Sequence, residues 1–271
     1  MADTKLPKFR RPPVTEVLCC IYFQDLVELH APQLGQLQAA LPPEFKRTQT
    51  APPLPPVTFS PAWILAQSLQ AIADRYQLPR TLLIKEDDSA FIQVQRDRFV
   101  FNWRQSESKN EYPSYVVVIA EFKKMLDIFV KFTETARVGA LSLTGMELAY
   151  VNHFSFGREL SDLSSIETVF PFFAWHKSGN PAFRLISGIN WHTQFDLPDG
   201  EGQLHFTVQT AQSRAEGKPL LRSDLVARKL APEIPLESIW AWFERAHIHI
   251  VTGFADVTGK EVQQNVWERL Q

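Results

Sequence analysis

The sequence predicts an α+β fold: one domain, residues 1–271, in which helices pack on one face of a long, curved antiparallel sheet. Two stretches alternate apolar and polar residues around a turn signal, which predicts β-hairpins at 91–104 and 188–210. Two other stretches, near 113–136 and 236–253, repeat apolar residues at helical spacing. Together these patterns predict a sheet whose aromatic face is covered by the helices.

The first hairpin is predicted from the alternation in FIQVQRDRFVFNWR, residues 91–104. A turn centred on Arg96-Asp97 places Val94 opposite Phe99, so that one face of the hairpin is wholly apolar. A register shifted by one residue would mix the two faces. The other face is polar, carries no acid and is expected to be exposed to solvent; its side chains are Gln93, Gln95, Arg98, Asn102 and Arg104.

The second hairpin is predicted from GINWHTQFDLPDGEGQLHFTVQT, residues 188–210. Asp199-Gly200 is a strong turn signal because both positions tolerate positive φ. This turn pairs Phe195 with Leu204 and gives a second dry, aromatic face. The opposite face is expected to be wet and rich in amides: Asn190, His192, Gln194, Asp196, Gln203, His205, Thr207 and Gln209.

Each long helix is predicted to turn one apolar stripe towards the dry side of the sheet. The two stripes are Tyr115, Ile119, Phe122, Leu126 and Phe129, and Ile239, Phe243, Ala246, Ile250 and Phe254. Ser60-Pro61 predicts the start of another helix, which ends before Pro79. Thr258 and Glu261 form a capping-box pattern, which predicts a short last helix that ends near Arg269.

An internal duplication is predicted from the order of these elements. Strands at 15–23 and 146–154 each begin a β-α-β-β-β-α series, so the repeats would span 12–138 and 140–271. This topology is similar to the saddle of the TATA-box-binding-protein-like fold, and a helix-grip ligand-binding fold is the alternative. The Pro-rich stretch 41–57 is expected to be an extended, unpaired surface connection, with partner docking through its P-x-x-P spacings as the alternative.

Composition limits the classes of partner and the location. Lys and Arg total 28 against 30 Asp and Glu, and the net charge of −2 disfavours nucleic acid as a partner. The basic N-terminus lacks the apolar core of a signal peptide, and no apolar run is long enough to span a membrane. Cys19 and Cys20 are expected to be buried free thiols in a reducing compartment. The sequence therefore predicts a cytoplasmic protein without a membrane partner.

The familiar catalytic and cofactor motifs are absent from the sequence, including the phosphate-binding loop and the zinc-protease motif. No cofactor or metal ion is therefore expected. One pair of side chains invites an acid–base interpretation, because the register of the second hairpin places His192 and His205 diagonally on one face. The alternatives for this face are a binding surface and an ordinary exposed sheet face.

Several stretches resemble one sporadically distributed family of uncharacterised bacterial and archaeal proteins of about this length. They are PPVTEVLCCIYFQDL, LIKEDDSAFIQVQRDRFVFNWR followed by YPSY, EL-x-YVN and AHIHIVTGFADVTGKEV. The most specific of them is Q-x-Q-x-D-R-F-x-x-N-W-R, and the resemblance spans nearly the whole chain. The family has no established activity, so the resemblance implies no catalytic residues. Its patchy occurrence implies a gene that travels with mobile elements or defence islands.

Three functions are consistent with these patterns. The first is a non-enzymatic binding or interaction protein that uses a concave polar sheet face for a protein partner or an extended polar ligand. The second is a helix-grip small-molecule-binding protein, or a hydrolase that uses His192 and His205; the third is a nucleic-acid binder, favoured by Arg96, Arg98 and Arg104. The strand at 15–23 is expected to lie at an edge, where the N-terminal segment covers it or a second copy pairs with it in a homodimer. The predicted binding residues are Gln93, Gln95, Arg98, Asn102, Arg104, His192, Gln194 and His205.

Overall fold

The computed structural model describes residues 6–57, 78–106, 111–173, 186–213 and 217–271. The helix that the sequence predicts between Ser60 and Pro79 lies almost entirely outside the described residues.

The fold is α+β, as predicted, with nine strands in one antiparallel sheet among the described residues. Hydrogen-bonded neighbours follow the order β2-β3-β4-β5-β1-β6-β9-β8-β7. The strands are β1 (Val14–Phe23), β2 (Arg47–Ala51), β3 (Arg80–Ile84), β4 (Ala90–Gln95), β5 (Arg98–Arg104), β6 (Leu143–Ser155), β7 (Asn190–Asp196), β8 (Gln203–Gln212) and β9 (Pro219–Ile234).

The α-helices of the described residues are α1 (Ala31–Ala40), α2 (Tyr115–Thr135), α3 (Ile239–Val257) and α4 (Lys260–Asn265). The apolar stripes predicted for α2 and α3 are buried, apart from Ile119. Among the described residues, none of the helices combines the length and the apolar character that crossing a membrane requires.

The predicted capping box of the last helix is wrong. Helix α4 begins after Gly259 without a side-chain cap, and it is shorter than predicted. The hydroxyl of Thr258 instead donates to the Phe254 carbonyl at 2.7 Å and accepts from the Gln263 side chain at 2.9 Å. Thr258 is buried, so its hydroxyl is used to close the preceding helix rather than to start the next one.

By its contacts the chain divides into two compact units. The first unit comprises Leu18–Met146 and Ala231–Leu236, and the second comprises Met1–Val17, Glu147–Leu230 and Glu237–Gln271. The predicted duplication and the saddle stay predictions.

The core of the first unit is aromatic and lies between α2 and the sheet. The ring of Phe99 on β5 stacks on Phe129 of α2, with centroids 4.6 Å apart, and also packs on Phe122. Phe23 from β1 joins the same cluster. The dry face predicted for the first hairpin is therefore the face that α2 covers.

The core of the second unit gathers around Trp267, which is fully buried. Its indole packs against Phe9, Phe154 and Phe254 at centroid distances of 5.2–5.9 Å. Backbone hydrogen bonds join residues 8–11 to residues 267–271 within this unit.

The prediction that the strand at 15–23 lies at an edge is wrong. Strand β1 lies between β5 and β6 in the sheet order, so neighbours on both sides satisfy its backbone groups. The N-terminal segment pairs with the C-terminal residues instead, through the bridge between Phe9 and Arg269. The argument for a homodimer through β1 therefore loses its basis. Both cysteines of β1 are buried thiols, as predicted, and burial raises the pKa of the Cys19 thiol.

The connection between β7 and β8 requires glycine at one position. Gly202 has a φ of +107°, and a Cβ atom there would lie 2.0 Å from the Arg228 carbonyl oxygen. We expect Gly202→Ala to lower the free energy of unfolding by at least about 2 kcal/mol, because the backbone must move to relieve the overlap. Urea unfolding measures this loss.

The matched control is Gly200, four residues from the end of β7, where φ is +66° and nothing lies within 4 Å of an added Cβ. Asparagine tolerates this backbone conformation, so Gly200→Asn should change the stability by less than about 1 kcal/mol. Equal losses in both variants would contradict the steric explanation.

Candidate functional site

The polar face of the first hairpin is buried, so the expectation that it is exposed to solvent is wrong. The register is the predicted one, with Val94 opposite Phe99, and it places the five polar side chains on one face. Their exposure is nevertheless low: 7% for Gln93, 3% for Gln95, 4% for Arg98 and 1% for Asn102. Arg104 is of intermediate exposure. The structure therefore brings these residues together, but as an internal polar layer.

Amide side chains pair along this layer. Gln93 Nε2 donates to Asn102 Oδ1 at 2.8 Å across the two strands of the hairpin. Arg80 of β3 donates through Nη1 to Gln93 Oε1 at 2.8 Å. Because buried amides need partners, these hydrogen bonds explain why polar residues are tolerated here.

The same layer holds an extended backbone segment of the chain itself. The backbone N–H of Leu54 donates to Gln95 Oε1 at 2.7 Å, and Gln95 Nε2 donates back to the Leu54 carbonyl at 3.3 Å. Arg98 Nη2 donates to the Pro55 carbonyl at 2.7 Å. The Pro-rich stretch was predicted to be unpaired, but β2 within it pairs with β3, and Leu54 and Pro55 are held by side chains.

The two arginines of the layer are ion-paired. Arg98 donates to both carboxylate oxygens of Asp97, at 3.0 and 2.9 Å, and its guanidinium lies over the ring of Tyr22. Arg104 pairs with Asp88 at the β3–β4 turn. Asp97 also accepts from Gln95 Nε2 at 3.2 Å, so it ties the ion pair to the amide layer.

The polar face of the second hairpin is more open. Its register is the predicted one, with His192 opposite Thr207 and Gln194 opposite His205, although the connection is longer than a two-residue turn. His192 and Gln194 are exposed, and His205 is of intermediate exposure. His205 Nδ1 lies 3.4 Å from His192 Nε2, with the two rings nearly parallel. The structure therefore brings these three predicted residues together.

Two buried atoms on this face have no hydrogen-bond partner in the described part of the chain: His205 Nε2 and Gln203 Oε1. The Gln203 amide nitrogen donates to Asp196 Oδ1 at 3.0 Å, so only its carbonyl side is unsatisfied. Burial, with added repulsion from Arg228 and His192, lowers the pKa of His205 to about 4. The imidazole of His205 is therefore neutral at neutral pH.

Arg228 and Glu147 adjoin this face and were not among the predicted site residues. Arg228 Nε donates to Glu147 Oε2 at 2.6 Å, and Arg228 lies opposite Gln203 in the β8–β9 register. Apolar and polar residues also alternate along β9, so extending the register of the second hairpin to this strand would have placed Arg228 on the polar face. No local signal marks Glu147, because its pairing depends on distant segments.

A cleft of about 720 Å³ lies in the first unit, where the first turns of α2 meet β4, β5 and the β3–β4 turn. Phe101, Trp103 and Val118 contribute apolar surface to it, and Lys85 and Glu121 contribute charge. Among the described residues there is no group of three or more His, Cys, Asp or Glu that could hold a metal ion.

No family model matches the chain, and no curated protein matches it.

Proposed function

We propose that this protein is a non-enzymatic binding protein in which the polar face of β7, β8 and β9 holds an extended polypeptide segment of a partner. The observation that carries the proposal is in the first unit, where Gln95 and Arg98 already hold the backbone of Leu54 and Pro55. Amide and guanidinium groups spaced along strands suit the repeating carbonyl and N–H groups of an extended chain.

The second unit offers the same chemistry, with hydrogen-bonding atoms that no described residue of the chain satisfies. His205 Nε2 and Gln203 Oε1 are buried without a partner among the described residues, and each such atom costs about 1–3 kcal/mol. A backbone N–H of a bound segment would satisfy Gln203 Oε1, and a backbone N–H or carbonyl would satisfy His205 Nε2, according to the tautomer of its imidazole. The neighbouring Gln194 is exposed and adds a donor and an acceptor at the strand spacing.

The test compares stability with binding in the same variants. Replacing Gln203 with leucine or His205 with phenylalanine removes an unsatisfied buried atom, so we expect stability to rise by up to about 1 kcal/mol. Peptides selected from a random display library on the wild-type protein should bind each variant at least about tenfold more weakly. Calorimetry of the selected peptides and urea unfolding give the two readouts.

Lys260→Ala, at an exposed position of α4, is the control variant and should change neither readout. The binding proposal fails if the selected peptides bind both variants with unchanged affinity. It also fails if both variants lose stability, because the two side chains would then be part of the internal scaffold.

The catalytic alternative finds less support in the geometry. General acid–base catalysis works best when the pKa of the group lies near the working pH. The pKa of His205 is lowered to about 4, so this imidazole is a weak base and is not protonated to act as an acid. The nucleic-acid alternative loses the arginines that favoured it: Arg98 and Arg104 are ion-paired, and Arg96 donates to the Leu29 carbonyl.

The cleft beside α2 supports a second candidate function, the holding of a small molecule. Its volume of about 720 Å³ lies within the range of small-molecule sites. It lies beside the first turns of α2, which packs on the sheet.

A further inference from the structure

The cleft in the first unit has an apolar wall and a charged wall. Phe101 and Trp103 of β5 provide aromatic surface, and Val117 and Val118 from the first turns of α2 complete the apolar part. Val117 is exposed, although it borders buried aromatic residues. Phe101, Trp103 and Val118 are already buried, so a ligand with a hydrocarbon or aromatic body would pack against them and remove mainly the exposed Val117 side chain from water.

The charged wall carries more negative than positive charge. Glu44, Glu111 and Glu121 contribute three carboxylates and Lys85 one ammonium group, so the formal charge of the lining is −3 + 1 = −2. Glu121 also pairs, through its Oε1 atom, with Lys124 at 3.1 Å; Lys124 lies outside the lining.

The charged wall already holds one cation, the ammonium group of Lys85. Its Nζ atom lies 3.8 Å from Glu44 Oε1 and 3.7 Å from Glu121 Oε2, and only 14% of the side chain is exposed. The same ammonium group lies 5.4 Å from the centre of the Phe45 ring. Carboxylates together with an aromatic ring therefore hold one primary ammonium group at the edge of the cleft.

One feature of the cleft favours an anion. Helix α2 begins at Tyr115, and the positive end of its dipole is equivalent to about half a unit charge. Lys124 neutralises one further unit of negative charge, which leaves a formal charge of −1 at the cleft, and this still exceeds the partial charge of the helix, so the electrostatic balance favours a cation.

We infer that this cleft binds a small organic cation, an ammonium group attached to an apolar body. The inference rests on the second candidate function and names its ligand class. The ammonium group lies against Glu44 and Glu121, and the apolar body lies against Trp103 and Val117.

The test uses two probes of similar size and opposite charge, 2-phenylethylamine and 3-phenylpropionate, with the full-length protein at low ionic strength and neutral pH. Calorimetry gives the affinities, and amide NMR shifts of Val117 and Val118 report the location. We expect the amine to bind at least about tenfold more tightly than the acid, and added salt to weaken its binding.

Two variants separate a cation site from an anion site. Lys85→Met removes the internal cation that competes for Glu44 and Glu121, so we expect it to tighten amine binding about threefold or more. Glu121→Gln should weaken amine binding by a similar factor. Lys260→Met, on the exposed surface of α4, is the matched control and should leave both affinities unchanged.

Tighter binding of the acid, or weaker binding of the amine to Lys85→Met, would overturn the ligand class while leaving a small-molecule cleft. If neither probe shifts Val117 or Val118 at about 10 mM, far above the range of specific sites, both the inference and the second candidate function are overturned.

Discussion

Replacing Arg98 with alanine is expected to lower the free energy of unfolding by about 3–5 kcal/mol, the range for removing one partner of a buried ion pair. Arg98 is buried, makes two hydrogen bonds to Asp97 and one to the Pro55 carbonyl, and lies over Tyr22. Without the guanidinium, the Asp97 carboxylate stays buried and loses the positive charge that Arg98 supplies, while the hydrogen bond from Gln95 remains. Urea unfolding at neutral pH measures the loss.

Two further substitutions show whether the whole layer is internal scaffold. Asn102→Ala removes the acceptor of Gln93 and should cost about 1–3 kcal/mol. Gln194→Ala removes an exposed amide of the second hairpin and should cost less than about 0.5 kcal/mol. A small loss in Arg98→Ala and Asn102→Ala would instead favour the interpretation of this layer as a binding face open to solvent.

Stability is expected to fall steeply as the pH is lowered from about 6.5 towards 4. Burial lowers the pKa of His205 and of His247 from 6.5 to about 4, and the nearby Arg228 and His192 contribute further at His205. Between these values the unfolded chain binds more protons than the folded protein, so the free energy of unfolding decreases as pH falls. Above about 6.5 both imidazoles are neutral in either state, and this contribution is constant.

Each fully shifted histidine contributes a slope of up to about 1.4 kcal/mol per pH unit within this window. Both side chains keep some contact with solvent, so we expect a combined slope of about 1–2 kcal/mol per pH unit. Asp224 opposes this slope at the acid end of the pH window. Burial raises the pKa of its carboxyl group, so the folded protein binds this proton more readily than the unfolded chain does.

Urea unfolding at a series of pH values gives the slope, and His205→Gln and His247→Gln should each reduce it by about half. His247 also lies 3.0 Å from the Tyr150 hydroxyl, so His247→Gln changes the absolute stability as well; the slope is therefore the informative quantity. A slope that neither substitution changes would assign the acid sensitivity to other groups.

Local patterns of the sequence predict most elements and both hairpin registers. Alternation in 91–104 allows one pairing that gives an apolar face, with Val94 opposite Phe99, and the structure has that pairing. The same reasoning places His192 near His205, 3.4 Å apart between ring nitrogens. The apolar stripe of α3, from Ile239 to Phe254, follows from helical spacing alone. These features depend on residues close together in the chain, so the sequence determines them directly.

Burial and sheet order depend on distant segments, and only the tertiary structure decides them. Gln95 looks like a surface residue in its strand, yet Leu54, 41 residues away, is hydrogen-bonded to it. Strand β1 comes first in the chain and lies between β5 and β6, because strand order is set by long-range pairing. An alternating sequence places polar and apolar side chains on opposite faces of a strand, but it does not specify which segment covers each face. Whether a polar face is an internal layer, as at Asn102, or an open surface, as at Gln194, is therefore decided by packing between distant segments.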